Sequence, residues 1–115
     1  MAIYREGVIH YAQPAGVDLT GKLFCFAAVD ANGNIIVCGA GGNGIGSIAE
    51  EATAGNAATV QLGSIAKLKT GGNVTAGSRV QSDANGFAVS LQSGVPLGIA
   101  LTGAISGDVI PVYLF

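Results

Sequence analysis

The chain has 115 residues, a length that fits one domain, and carries a net charge of −2 with only 10% charged residues where about 25% is typical. Its five cations, Arg5, Lys22, Lys67, Lys69 and Arg79, are scattered and form no basic stripe for a phosphate backbone, which argues against nucleic acid as a partner. No apolar run approaches the roughly 20 residues of a membrane-spanning helix, which argues against a membrane partner. Half the residues are apolar, but many of these are alanine, and 19 further positions are glycine, so the core of one copy is built from small side chains and assembly with a partner surface is expected.

In chain order, Ile3, Tyr4, Ile9 and Tyr11 alternate with Arg5, Glu6 and His10 ahead of the breaker Gln13-Pro14-Ala15-Gly16. This segment, residues 1–16, reads equally as a first strand of the body or as an arm laid on another subunit. It lacks the basic-then-apolar layout of a secretory leader, so a reducing compartment is expected, the Asn73-Val74-Thr75 sequon reads as chance, and Cys25 and Cys38 read as free thiols. A bond between them stays open, because a one-residue change of register would put them on opposite faces.

Residues 17–115 read as a single β domain. Short β-type runs fall at 23–29, 34–38, 58–62, 64–68, 79–82, 87–91, 97–101 and 109–114, each bounded by Gly, Asn, Asp or Pro. Only residues 47–53 invite a short helix, of one or two turns. Asp30-Ala31-Asn32-Gly33 and Asp83-Ala84-Asn85-Gly86 are the same turn twice, a type I turn closed through a glycine bulge, and so predict two hairpins. The run from Gly46 also aligns with the run from Gly98, matching Gly55 with Gly107, Val60 with Val112 and Leu62 with Leu114. The expected fold is therefore all-β, a compact sandwich or barrel-like body built from a duplicated hairpin unit at about 18–62 and 74–115, with an N-terminal arm and little helix.

The duplication bears on the most suggestive motif, Gly39-x-Gly41-x-x-Gly44 after the apolar run Ile35-Ile36-Val37. Its spacing matches the dinucleotide-binding fingerprint, but the second copy has QSGVPLG in its place and no acidic residue lies between Glu51 and Asp83 to hold a ribose. The glycines read as an expanded connection that fits against a neighbouring surface. Asp30-x-Asn32-x-Asn34 begins like a calcium loop, yet Ile35 and Gly41 stand where that loop needs glycine and glutamate. His10 is the only histidine, the cysteines form no C-x-x-C, and adjacent Glu50 and Glu51 face opposite ways in a strand. No catalytic set, metal site or cofactor is expected. Lys67 and Lys69 read as outward charges that discourage edge pairing, and Pro111 requires an edge or a boundary where its missing N–H is not needed.

Taken in order, Arg5-Glu6-Gly7-Val8-Ile9-His10-Tyr11, Pro14-Ala15-Gly16-Val17, Val74-Thr75-Ala76-Gly77-Ser78-Arg79-Val80, Ser82-Asp83-Ala84-Asn85-Gly86, Gly98-Ile99-Ala100-Leu101 and the closing Ser106-Gly107-Asp108-Val109-Ile110-Pro111-Val112 give the chain its character. It resembles the small capsid decoration, or cement, proteins of tailed bacteriophages. The resemblance spans nearly the whole chain and departs from the family at the long glycine connection. It implies a homotrimer, made in the host cytoplasm, that binds the major capsid protein on the outside of the assembled head at threefold or quasi-threefold positions and stabilises the shell. Ile3, Tyr4, Arg5, Ile9 and Tyr11 are the first candidates for capsid contact, with Gly41, Asn43, Gly44, Tyr113 and Phe115 as secondary ones. A β-sandwich module for glycans or a host surface is the alternative, although only Tyr4, Tyr11 and Tyr113 are on hand as tyrosines and tryptophan is absent.

Overall fold

The computed structural model describes residues 9–115. These form ten strands and, among the described residues, no helix: β1 Ile9–Pro14, β2 Phe26–Val29, β3 Ile35–Val37, β4 Gly46–Glu50, β5 Ala57–Leu62, β6 Ile65–Lys69, β7 Arg79–Ser82, β8 Ala88–Ser90, β9 Gly98–Ala100 and β10 Val109–Leu114. Two antiparallel sheets result, ordered β1-β5-β4-β2-β3 and β6-β10-β9-β7-β8, so the second repeats the connectivity of the first strand for strand. Isolated parallel bridges, Ala15 to Ile35 in one and Thr70 to Ala88 in the other, draw the two edges of each sheet together and curl it towards a barrel.

The repeated turns fold as their sequence dictates. Asp30 Oδ1 accepts the N–H groups of Asn32 and Asn34, both at 2.9 Å, and Asp83 Oδ1 accepts those of Asn85 and Phe87 at 2.8 and 2.9 Å. Gly33 and Gly86 close them at φ of +83° and +81°. A second pair of glycines meets a different need: at Gly98 an added Cβ would lie 2.5 Å from Tyr113 O and 2.8 Å from Val112 Cγ1, and at Gly46 it would strike Gln61 O and Val60 Cγ1 in the same way. Both sites therefore require a residue without a side chain, because neighbouring backbone occupies the space.

Two segments differ from the sequence expectation. The helix expected at 47–53 is instead strand β4, whose Ala-Glu-Glu helix preference is overridden by ladders to β2 on one side and β5 on the other. A bulge after Ile48 shifts the register by one residue, so Glu50 rather than Ala49 meets Thr59, and Glu50 Oε1 accepts the Thr59 hydroxyl at 2.6 Å. The strand expected from Leu23 begins only at Phe26, because Phe24 takes a φ of 67° and the Cys25 N–H turns back to Lys22 O. Gly77 stands at the corresponding place in the second repeat, with φ of +85°, so the first repeat holds a phenylalanine in a glycine conformation.

Each sheet encloses its own apolar cluster. Leu19, Cys25, Ala27, Ile35, Ile48 and Val60 fill the first, and Leu68, Val80, Leu97, Ile110, Val112 and Leu114 the second. The clusters interleave. Phe26 and Cys38 belong to the first repeat but are buried in the second cluster, while Phe87 of the second repeat packs against the first. Burial of the Phe26 side chain alone stabilises this junction by about 2–3 kcal/mol. Pro111 sits in β10, between β6 and β9, but it lies opposite Leu101, one residue past the end of the β9 ladder. There only its carbonyl is engaged, accepting the Leu101 N–H at 3.1 Å, so the missing N–H falls where the ladder has already ended.

Candidate interaction surface

The alternation of β10 sends Ile110, Val112 and Leu114 into the second core and leaves Val109, Pro111 and Tyr113 on the outer face. Register extends that face sideways: Tyr113 lies opposite Ile65 of β6 and Ile99 of β9, and Ile99 lies opposite Arg79 of β7. The result is one cross-strand row, Ile65, Tyr113, Ile99 and Arg79. Phe115 joins it edge-on to Tyr113, with ring centroids 6.4 Å apart at 78°, and the Arg79 guanidinium stands 5.6 Å from the Phe115 centroid. Ile65 is 52% exposed, Tyr113 48% and Phe115 60%, so the row is an apolar strip in water with a single cation at its end. Tyr113 and Phe115 were candidates from sequence alone. Ile65, Ile99 and Arg79 were not, because only the pairing of β6, β9 and β7 with β10 brings them together.

Ile9 and Tyr11 lie on β1, the edge strand of the first sheet, opposite Leu62 and Val60 of β5. Val60 is fully buried, so Tyr11 points to the core side and overhangs the open end of the first cluster, 38% exposed. Ile3, Tyr4 and Arg5 lie outside the described residues. Residues 9–14 are thus strand, paired along six positions with β5.

The glycine connection is engaged within the chain. The Gly41 N–H donates to Ser82 O at 2.8 Å, Gly41 O accepts the Val95 N–H at 3.1 Å, and the Gly41 and Gly94 backbones touch so closely that a Cβ on Gly41 would lie 2.9 Å from Gly94 Cα. At Gly44 an added Cβ would meet Leu97 Cδ1 at 2.8 Å. The neighbouring surface that these glycines fit is the second repeat itself, and of the three loop candidates only Asn43 is exposed.

Asp30, the first residue of the calcium-like pattern, spends one carboxylate oxygen on turn N–H groups. Cys25 and Cys38 are free thiols and buried, one in each cluster, and burial is the main cause that pushes both above their ordinary value. No group of three His, Cys, Asp or Glu side chains converges among the described residues. Lys67 is exposed on edge strand β6, while the Lys69 ammonium lies 5.5 Å from the Phe87 ring centroid. A half-open pocket of about 340 Å³ lies at the seam of the two repeats, lined by Phe24, Ser47, Gln61, Ile65, Lys67 and Pro111 among others.

A duplicated five-stranded antiparallel unit, each sheet with its own core and the two cores interleaved, defines the class to which the domain belongs. No protein-family model matches the sequence, and no curated protein matches it. Among solved structures the chain is similar to the N base of the head fiber gp8.5 in bacteriophage phi29, with a TM-score of 0.73 over 94% of each chain at 13% sequence identity. At that identity the likeness is one of fold.

Proposed function

We propose that the protein is a non-enzymatic component of a bacteriophage head, seated as a homotrimer on the outer surface of the assembled shell at threefold or quasi-threefold positions. The observation that carries this reading is the shared fold, end to end, with a phage head fiber base. The sequence resemblance to capsid decoration proteins supports it from a separate direction. In this role the major capsid protein is the partner, and the protein, made in the host cytoplasm, joins the virion after the shell has formed. It stabilises the shell by contacting more than one subunit, so that parting two of them requires breaking decoration contacts as well. Residues Ile3, Tyr4 and Arg5, together with Ile9, are the proposed grip on the capsid.

Co-sedimentation of the purified protein with expanded, undecorated heads tests the proposal. Saturable binding is expected, with a higher temperature of head disruption in the decorated particles. A variant lacking residues 2–8 leaves β1 whole and is expected to lose capsid affinity by more than tenfold, since each buried anchor contributes about 1 kcal/mol or more. Absence of binding to both expanded and unexpanded heads refutes the reading, and saturable binding to a glycan array in its place favours the glycan module.

A further inference from the structure

The seam between the two repeats has a direction. The first repeat presents the outer face of its sheet, where Phe26 lies opposite Ser47 and Ser47 opposite Gln61, and the second repeat covers it. The Phe26 N–H donates to Gly86 O at 2.7 Å, the Ser47 hydroxyl to Lys67 O at 2.6 Å and the Gln61 amide to Ile65 O at 2.8 Å. The same row in the second repeat is Arg79, Ile99 and Tyr113, of which Arg79 and Tyr113 are exposed and Ile99 is half-buried, with only Phe115 packed against its ends. Buried Ser47 and half-buried Gln61 of the first row are replaced in the second by half-buried Ile99 and exposed Tyr113.

The opposite end of the molecule shows the reciprocal change. The second repeat meets the first through elements that include Ser82 and Gly86, both shielded: Ser82 is fully buried, and a Cβ on Gly86 would meet Val37, Phe26 O and Cys25. Their counterparts in the first repeat are Val29, 42% exposed, and Gly33, with nothing within 4 Å of an added Cβ. A third position changes in step. Ala66, opposite Val112, belongs to the cluster that receives Phe26, and its counterpart Tyr11, opposite Val60, leaves an aromatic ring part-exposed at the free end. Arginine replaces the inserted phenylalanine at one end and tyrosine replaces the receiving alanine at the other, a pairing suited to a cation over an aromatic face.

We propose that a second copy of the chain seats its first repeat on the outer face of the second repeat, continuing between copies the contact that joins the repeats within one. The continuation is not identical: the Lys69 N–H donates to Phe24 O inside the chain, whereas Pro14 holds the corresponding place in β1 and has no N–H to give. The contact between copies therefore makes fewer backbone bonds and leans on Tyr113, Ile99 and Val29. Such a contact is heterologous, and closing it among three copies sets six repeats around one axis. The inference rests only on the oligomeric half of the function proposed above and is tested without capsids.

Light scattering and sedimentation velocity on wild type, Tyr113→Glu and Val29→Glu decide it, with melting curves to establish that each variant is folded. Wild type is expected to be a trimer and each variant a monomer, because either change spoils every contact in the ring. An equimolar mixture of the two variants retains one intact pair of faces and is expected to give a dimer that grows no further. A monomeric wild type, a trimeric Val29→Glu or Tyr113→Glu protein, or a mixture that stays monomeric at high concentration overturns the proposal. A monomer that still binds heads defeats this inference alone, and a trimer that does not bind them defeats the capsid role alone.

Discussion

Alanine at Gly33 and at Gly86 should have different consequences although the two turns share one sequence. Both residues have φ just above +80°, so a Cβ at either position costs roughly 1 kcal/mol in backbone strain. At Gly33 the added methyl enters open space, and the strain is the whole effect. At Gly86 it would lie 2.6 Å from Val37 Cγ1, 3.1 Å from Phe26 O and 3.2 Å from Cys25 Cβ, all three of them residues of the first repeat. Overpacking of this kind costs about 1–3 kcal/mol more, for a total of about 2–4 kcal/mol. At about 4 °C per kcal/mol for a chain of this size, Gly33→Ala lowers Tm by about 4 °C and Gly86→Ala by about 8–16 °C. Urea unfolding followed by circular dichroism, with Tm from calorimetry, measures both. Adding Val37→Ala to Gly86→Ala should return part of the loss, a coupling that a double-mutant cycle isolates. Equal losses in the two single variants refute the claim that the second turn is packed into the seam, and no loss in either refutes the turn assignment.

Gly98→Ala should destabilise by about 3 kcal/mol, since its Cβ would meet the backbone of β10, and a shift below 1 kcal/mol in urea unfolding would contradict that close approach. Thr70→Val removes a buried hydroxyl that donates to Ile105 O at 2.6 Å and should cost about 1–2 kcal/mol in the same assay. Stability should also fall in alkali: burial raises both thiols above the ordinary 9.0, so the unfolded chain ionises first, and their contribution, complete below pH 9, is lost as pH rises towards the folded values. The Cys25→Ala/Cys38→Ala variant should lose that part of the pH dependence above pH 9, and an unchanged profile would assign it to other groups.

The turns and the spacing were legible because their chemistry is local: an Asp that binds its own loop and a Gly at positive φ leave the same mark wherever they occur. Eight of the ten strands fall on runs bounded by such residues. The equivalence of β1 and β6 was not legible, because Tyr11 matches Ala66 and Pro14 matches Lys69, and no shared side chain marks the two as the same element. Strand β4 was obscured by its Ala-Glu-Glu composition, which favours a helix until two neighbouring strands claim its backbone. The site was harder still. Tyr113 and Phe115 stand out as terminal aromatics, but Ile65, Ile99 and Arg79 gain meaning only from register, and Gly41 and Gly44 read as free for a partner until the second repeat is seen to occupy them.

The exchange of aromatic residues between the two clusters bears on how such a molecule could arise. A chain of half this length, holding one repeat, would leave the ring of Phe26 in water and the cluster around Leu68 and Val80 without its filling. It could persist only beside another copy of itself. Joining two such halves through the short Gly63-Ser64 link makes one of those associations permanent and independent of concentration, and it frees the two outer ends to diverge. Arg79 and Tyr11 are where the two ends differ from the seam. The inner seam kept a ring that fills a core, while the ends acquired side chains that tolerate solvent until something arrives to cover them.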